Sequence, residues 1–410
     1  MYLRTDETPP PYRPGMDRKS AYKSVWQRHW REFRKIYPER FASLYGELSV
    51  EKTAEVNKLL SCGDYRNGFR KHVCPACGTV LMVPFTCKSR LCLSCYRKKL
   101  YGWSMNLSLV MDTTLWHFHV TFTLPGPVAR ALFEKRFHCE DLITAAAGVY
   151  WKELLKSAGK TGREWQSGSI ATLHKCGNAL NFNPHVHLIG TRELVNTVTG
   201  EILRSPLLNY RRIRFSWMNA ALRLFRRNEI FTEEEIRDIR KRHKNGFHVH
   251  LQPVNGTNNE VLFRTAEYLA AGYFHNSMIT RVDHANAKIT FSYKSWVDRN
   301  TKEKTYSETT LDIYEFMARM LFYLPDKHRK AIRYYGIYAH GIKHKLDQIT
   351  RKTWARAIEN SFDTNPELCP DCGAEMVGSA VFSYNADNEW HKLWKTHLLI
   401  GGYFRMKKGP

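Results

Sequence analysis

The chain has no uninterrupted apolar run near the roughly 18 to 20 residues that a membrane helix needs. Its first fifteen residues, MYLRTDETPPPYRPG, carry no apolar core of the kind a signal peptide has. Membrane anchoring and secretion are therefore not expected, and the protein should stay in the cytoplasm. Acidic side chains are scarce: 39 Asp and Glu face 63 Lys and Arg, a formal net charge of +24. The obvious counter-charge is a phosphate backbone. Cysteines are few outside two stretches, since six of the ten lie between Cys62 and Cys95 and two more form an isolated CPDC at 369–372. In a reducing compartment such clustering points to metal binding and not to a disulfide framework. There is also no convincing long internal repeat.

What is present suits a globular protein of two or three domains: 410 residues, 43% of them hydrophobic, with 11 Trp, 21 Tyr and 21 Phe interleaved among the positive charges. The segment SAYKSVWQRHWREFRKIY (20–37) places Trp26, Trp30, Phe33 and Tyr37 three and four residues apart, with Arg28, Arg31, Arg34 and Lys35 off that stripe. This predicts an amphipathic helix with an aromatic core face and a basic outer face. Beyond residue 104 the pattern changes. Strands are expected at 116–124, 169–175, 185–190, 247–252 and 288–295, and helices at about 138–158, 213–243, 258–274 and 310–323. Direct strand-to-strand steps favour an α+β sheet covered by helices over a doubly wound parallel sheet. The expected division is a flexible arm (1–15), a helical and zinc-binding DNA-binding domain (16–104), a catalytic domain (105–345) and a carboxy-terminal region (346–410).

Cys74-x2-Cys77 and Cys92-x2-Cys95 have the spacing of a zinc ribbon, in which two knuckles supply four thiolates to one tetrahedral ion. Cys62 and Cys87 flank them and could serve a second site, with His72, or remain unliganded. Cys369 and Cys372 form a candidate second zinc site that His391 and His397 could complete. A closed four-thiolate site has no open position for substrate, so these predict structural zinc.

Histidines two apart on a strand face the same way. That holds for His117 and His119 in HFH, for His185 and His187 in HVHL, and for His248 and His250 in the second HVHL. Spacing alone does not choose among the three pairs.

The flanks distinguish them. ATLHKCGNALNFNPHVHLIGTRELV resembles the HUH motif (histidine, bulky hydrophobic, histidine) of the rolling-circle, helitron-like two-tyrosine insertion-sequence transposases. HFHVTFTLP is similar to that family's opening strand, EYLAAGYF stands at its tyrosine helix, and KAIRYYGIYAHG is similar to its RYYG segment. The cysteine module ahead of the sheet matches the family's amino-terminal zinc-binding domain, so the likeness covers roughly residues 60 to 375. It implies an HUH-endonuclease sheet that nicks and rejoins single-stranded DNA at element ends and in target DNA. A Mg²⁺ or Mn²⁺ ion held by His185 and His187 would assist, through a 5′-phosphotyrosine intermediate. His119, His250 or Glu267 could supply a third ligand.

The family's tyrosines are four apart, whereas here Tyr268 and Tyr273 are five apart with Gly272 between them. Five residues rotate a side chain about 140° from its partner on a helix. Tyr268 is the expected nucleophile, and Tyr273 is either a second one or a core residue. A plasmid or phage replication initiator or relaxase would use the same chemistry. A non-catalytic zinc-dependent DNA-binding protein would have lost the histidines or the tyrosines.

Overall fold

A computed structural model of the chain describes residues 20–111, 114–135, 139–204, 208–256, 259–270, 272–297, 303–324, 332–339, 365–384 and 390–395. The expected amino-terminal arm lies outside the described residues. Helix α1 (Ala21–Arg40) begins at Ser20, whose side chain accepts from the Lys23 N–H, and buries Trp26, Trp30, Phe33 and Tyr37. The aromatic stripe is therefore core. Helices α2 (Ala42–Tyr45) and α3 (Val50–Leu60) lead to the hairpin β1 (Phe69–Val73) and β2 (Val80–Pro84), then to α4 (Leu93–Val110).

The next stretch runs β3 (His117–Thr123), α5 (Gly126–Glu134), α6 (Asp141–Ser157), β4 (Trp165–Gln166), β5 (Gly168–Cys176), β6 (Phe182–Thr191), β7 (Glu193–Asn196) and β8 (Ile202–Arg204). The single helical pattern expected at 213–243 is two helices, α7 (Tyr210–Arg227) and α8 (Glu233–Arg242). Glu229 turns the chain with φ +54°, and a capping box of Thr232 and Glu235 starts the second helix. The chain continues through β9 (Val249–Pro253), α9 (Asn259–Ala270), β10 (Ile279–Asp283), β11 (Lys288–Val297), β12 (Lys304–Asp312), α10 (Ile313–Phe322) and β13 (Ile332–Gly336), and ends with β14 (Val377–Tyr384) and β15 (Trp390–Lys395).

The architecture is α+β, built on a central sheet of order β13-β5-β6-β3-β9 in which every pairing is antiparallel. The two-residue period sorts its side chains into two layers. Val120, Phe122, Val186, Leu188 and Val249 pack beneath α5, α6, α7 and α8. On the other face Ile170 and Ile189 meet Leu107 of α4, its C-cap Met111, and Leu262, Ala266 and Leu269 of α9. At the end of β13, Gly336 has φ +58°, and a Cβ there would sit 1.7 Å from the Ser167 carbonyl oxygen. Only glycine suits that position, which accounts for the last residue of RYYG.

A second core joins α1 and α10 to the sheet of β10, β11 and β12, and includes Cys92 and Cys95. The cysteine hairpin does not end with the amino-terminal region: its sheet has the order β15-β14-β1-β2, with Val73 opposite Val377. The division expected at residue 346 thus cuts across one sheet. Among the described residues no helix is long and apolar enough to cross a membrane.

Candidate active site and metal centres

The histidine face of the central sheet is the face that α9 covers. His185 and His187 share it on β6, as their spacing requires, and Val186 turns into the opposite core. Antiparallel pairing lays His174 of β5 directly opposite His185. The three residues His174, His185 and His187 each offer a ring nitrogen, with these atoms within 4.8 Å of one another. Sequence reasoning did not single out His174. The signal was the short turn at 177–181, which closes β5 and β6 into a hairpin with Leu180 N–H donating to the Gly177 carbonyl. Folding that hairpin brings residue 174 alongside 185.

Hydrogen bonds orient the rings. His174 donates from Nε2 to the Leu269 carbonyl of α9 at 3.2 Å, and His185 donates from Nδ1 to the Asn183 carbonyl at 2.6 Å. Each bond fixes a tautomer and leaves the opposite nitrogen as the lone-pair donor, the arrangement typical of metal-ligating histidines. His187 Nδ1 lies 3.0 Å from His119 Nε2 and 3.2 Å from Thr121 Oγ1. Burial lowers the pKa of all three imidazoles, that of His174 to about 4. The neutral, ligating form is thereby favoured. This donor set fits a divalent ion.

The expected third ligands lie elsewhere. His119 stacks on His187 with centroids 5.2 Å apart, as a partner behind the trio and outside the group of three. His250 is exposed on the edge strand β9, opposite Thr121, and Glu267 is exposed on α9. His248 is exposed too, and its carbonyl accepts from the Thr123 backbone N–H. His117 is buried against Tyr338, with Nε2 at 2.6 Å from the phenol oxygen.

The two tyrosines part company. The backbone of Tyr268 belongs to α9, one residue before the Leu269 carbonyl that holds His174. Its side chain lies outside the described residues. Tyr273 is beyond the helix, in the second core, where its hydroxyl donates to the Met320 carbonyl at 3.2 Å and its ring meets Tyr323. Burial raises its phenol pKa well above the ordinary value. Of the two readings of Tyr273, second nucleophile or core residue, its position in this structure is that of a core residue. The five-residue spacing carries it past the end of α9 into a packed position.

The cysteines form two groups of four, but not the expected ribbon. Cys62 and Cys87 join Cys92 and Cys95, while Cys74 and Cys77 join Cys369 and Cys372. The pairing of 74/77 with 92/95 is thus corrected: the hairpin β1–β2 carries the first knuckle away from the start of α4, where Cys92 is the N-cap. Sulfur separations are 3.5 and 3.6 Å in the first group and 3.4, 3.5 and 3.7 Å in the second. Thiolates about 2.3 Å from a tetrahedral zinc lie about 3.8 Å apart, whereas a disulfide needs about 2.05 Å. Both groups fit zinc. His72 is in neither group, His391 lies on β15, and His397 is outside the described residues.

The first group is mechanically close to the histidine face. Helix α4 starts at Cys92 and packs along α9, with Tyr101 edge-on to Phe263 at 5.3 Å and Trp103 donating to the Tyr334 hydroxyl at 3.1 Å.

Comparison with known proteins agrees with this layout. Residues 25–124 match the family described as "Transposase zinc-binding domain", of the IS91 type, and residues 168–346 match the family described as "Putative transposase". The chain is 24% identical over 367 residues to the transposase for insertion sequence element IS801 of Pseudomonas savastanoi pv. phaseolicola, covering 82% of this chain and 86% of that protein. It is 22% identical over 322 residues to "Putative transposase y4qJ" of Sinorhizobium fredii, covering 73% and 77%. No solved structure matches. The chain thus carries, in order, a match to a transposase zinc-binding domain of the IS91 type and a match to a transposase domain, and over most of its length it is similar to an insertion-sequence transposase.

Proposed function

We propose that this transposase nicks and rejoins single-stranded DNA at the ends of a mobile element, by a rolling-circle route, in the cytoplasm. Tyr268 is the nucleophile and His174, His185 and His187 are the ligands of a Mg²⁺ or Mn²⁺ ion. The observation that carries the reading is the convergence of three oriented, neutral imidazoles beneath the helix that bears Tyr268. The bound ion would neutralise charge on the scissile phosphate as the pentavalent transition state forms. The Tyr268 oxygen bonds to phosphorus and the bond to the 3′ oxygen breaks, leaving a 5′-phosphotyrosine and a free 3′-OH. The phenol proton passes to solvent or a local base. Attack by a 3′-OH on the phosphotyrosine reverses these steps and joins a new strand, so the phosphodiester energy is kept without ATP.

His174 has two jobs in this account. It presents one nitrogen to the ion and ties α9 to the sheet through the Leu269 carbonyl, which fixes the nucleophile's helix over the phosphate. Likeness to an insertion-sequence transposase over 82% of this chain supports this reading over a replication initiator or relaxase. Labelled single-stranded oligonucleotides bearing the element's ends, incubated with Mn²⁺ or Mg²⁺, should give a protease-sensitive covalent adduct on a denaturing gel. Omission of the ion should abolish it. Cleavage that yields only free 5′-phosphate ends, with no adduct, would refute the mechanism.

A further inference from the structure

We propose that Cys74, Cys77, Cys369 and Cys372 hold a second zinc ion that clasps the β1–β2 hairpin to the segment leading into β14, and that this ion exchanges more readily than the one at Cys62, Cys87, Cys92 and Cys95. Neither family match reaches residues 369–372, since they end at 124 and 346.

The two halves of the site are the same structural unit used twice. CPACG (74–78) and CPDCG (369–373) differ at one position. In each, the first cysteine's N–H donates five residues ahead, Cys74 to the Thr79 carbonyl and Cys369 to the Ala374 carbonyl, both at 2.8 Å. In each, the glycine N–H returns to that cysteine's carbonyl at 2.9 Å, and the glycines have φ of +73° and +72°. These are zinc knuckles, and they face each other: Cys77 is 3.5 Å from Cys369 and 3.4 Å from Cys372, and Cys74 is 3.7 Å from Cys372. Thr79 donates to the Asp371 carboxylate across the gap at 2.8 Å. The strand pairing of β1 with β14 begins directly beyond the knuckles, at Val73 and Val377. Sulfur atoms this close, none of them in a disulfide, meet the geometry of one tetrahedral ion. Four thiols deprotonate as the ion binds, releasing four protons to solvent.

The difference in exchange follows from exposure. In the clasp Cys77 and Cys372 are exposed, while Cys74 and Cys369 are buried in a small cluster with Met376; in the other group no cysteine is exposed, Cys92 and Cys95 being buried and Cys62 and Cys87 half-buried inside the second core. A chelator can reach the clasp without opening that core. Removing the clasp ion should free β14 from β1 while α4 stays anchored by the other group.

Three readouts on the full-length protein test this. Native mass spectrometry should find two zinc ions per chain, and one in the double variant C369S/C372S. A single zinc in the wild type, or two retained in the variant, would overturn the proposal. Because the variant could misfold, the wild type is also treated with a chelator and pulse-alkylated. Cysteines 74, 77, 369 and 372 should become labelled together, at least several-fold faster than 62, 87, 92 and 95. Separate labelling of 74/77 from 369/372, or equal rates for the two groups, would contradict it. Hydrogen exchange in peptides covering 377–384 should accelerate when the first zinc leaves; unchanged protection there would show that the ion clasps nothing.

Discussion

His174 and His119 both touch the HUH pair, yet their roles differ, and mutation should separate them. His174 supplies one of three converging ring nitrogens, whereas His119 meets His187 from behind. His174→Ala should reduce adduct formation by roughly 100-fold or more, at unchanged DNA affinity. His119→Ala should fall in the range of about 10- to 100-fold that outer partners of metal ligands carry. His250→Ala, at an exposed position, should be nearly neutral in single-turnover cleavage. Tyr273→Phe removes one hydrogen bond to Met320 and should cost about 0.5–1.5 kcal/mol in denaturant unfolding while the adduct still forms. The shared face of His185 and His187 was legible because a strand's period is two. His174 was not, because its neighbour is set by a hairpin register, and that register is shifted by an irregularity between His174 and Cys176. The cysteine grouping was illegible for a stronger reason: Cys74 and Cys372 are 3.7 Å apart in space but 298 residues apart in sequence.

The elements were more legible than their ends or partners. Alternating patterns located β3, β5, β6 and β11, and the aromatic stripe located α1, because each buries a regular face. The break between α7 and α8 was hidden in a continuous amphipathic pattern, since Ile230 and Phe231 stay buried through the turn. At the element scale the glycine that ends β13 offers a test with an internal control. Gly336→Ala drives a methyl into the Ser167 carbonyl, while Gly200→Ala meets no atom within 4 Å although its φ is +75°. Gly200→Ala should cost about 1 kcal/mol of backbone strain. Gly336→Ala must also displace β13 from β5, and should cost more than about 3 kcal/mol or prevent folding. Equal unfolding midpoints for the two variants would show that the RYYG glycine is not held as described.

The whole molecule joins a zinc-binding, basic amino-terminal region to a sheet whose histidine face lies under α4 and α9. A net charge of +24 predicts a backbone-dominated DNA interface. Affinity for single-stranded DNA should fall with a log-log salt slope of about −0.7 for each phosphate neutralised. Binding that is flat between low and moderate salt would contradict it. If the cysteine groups hold zinc in the frame and the three histidines hold the catalytic ion, as proposed, chelation should act in two stages, loosening β14 first and abolishing cleavage as the catalytic ion is lost. The proposed mechanism requires that the protein become covalently joined to its DNA through Tyr268. Peptide mapping by mass spectrometry of the adduct, trapped on a single-stranded oligonucleotide carrying the element's end, tests it most directly. A nucleotide is expected on the peptide containing Tyr268, and no adduct in the Tyr268→Phe variant. A nucleotide on Tyr273 or on any other residue, or an adduct that survives in Tyr268→Phe, would contradict it.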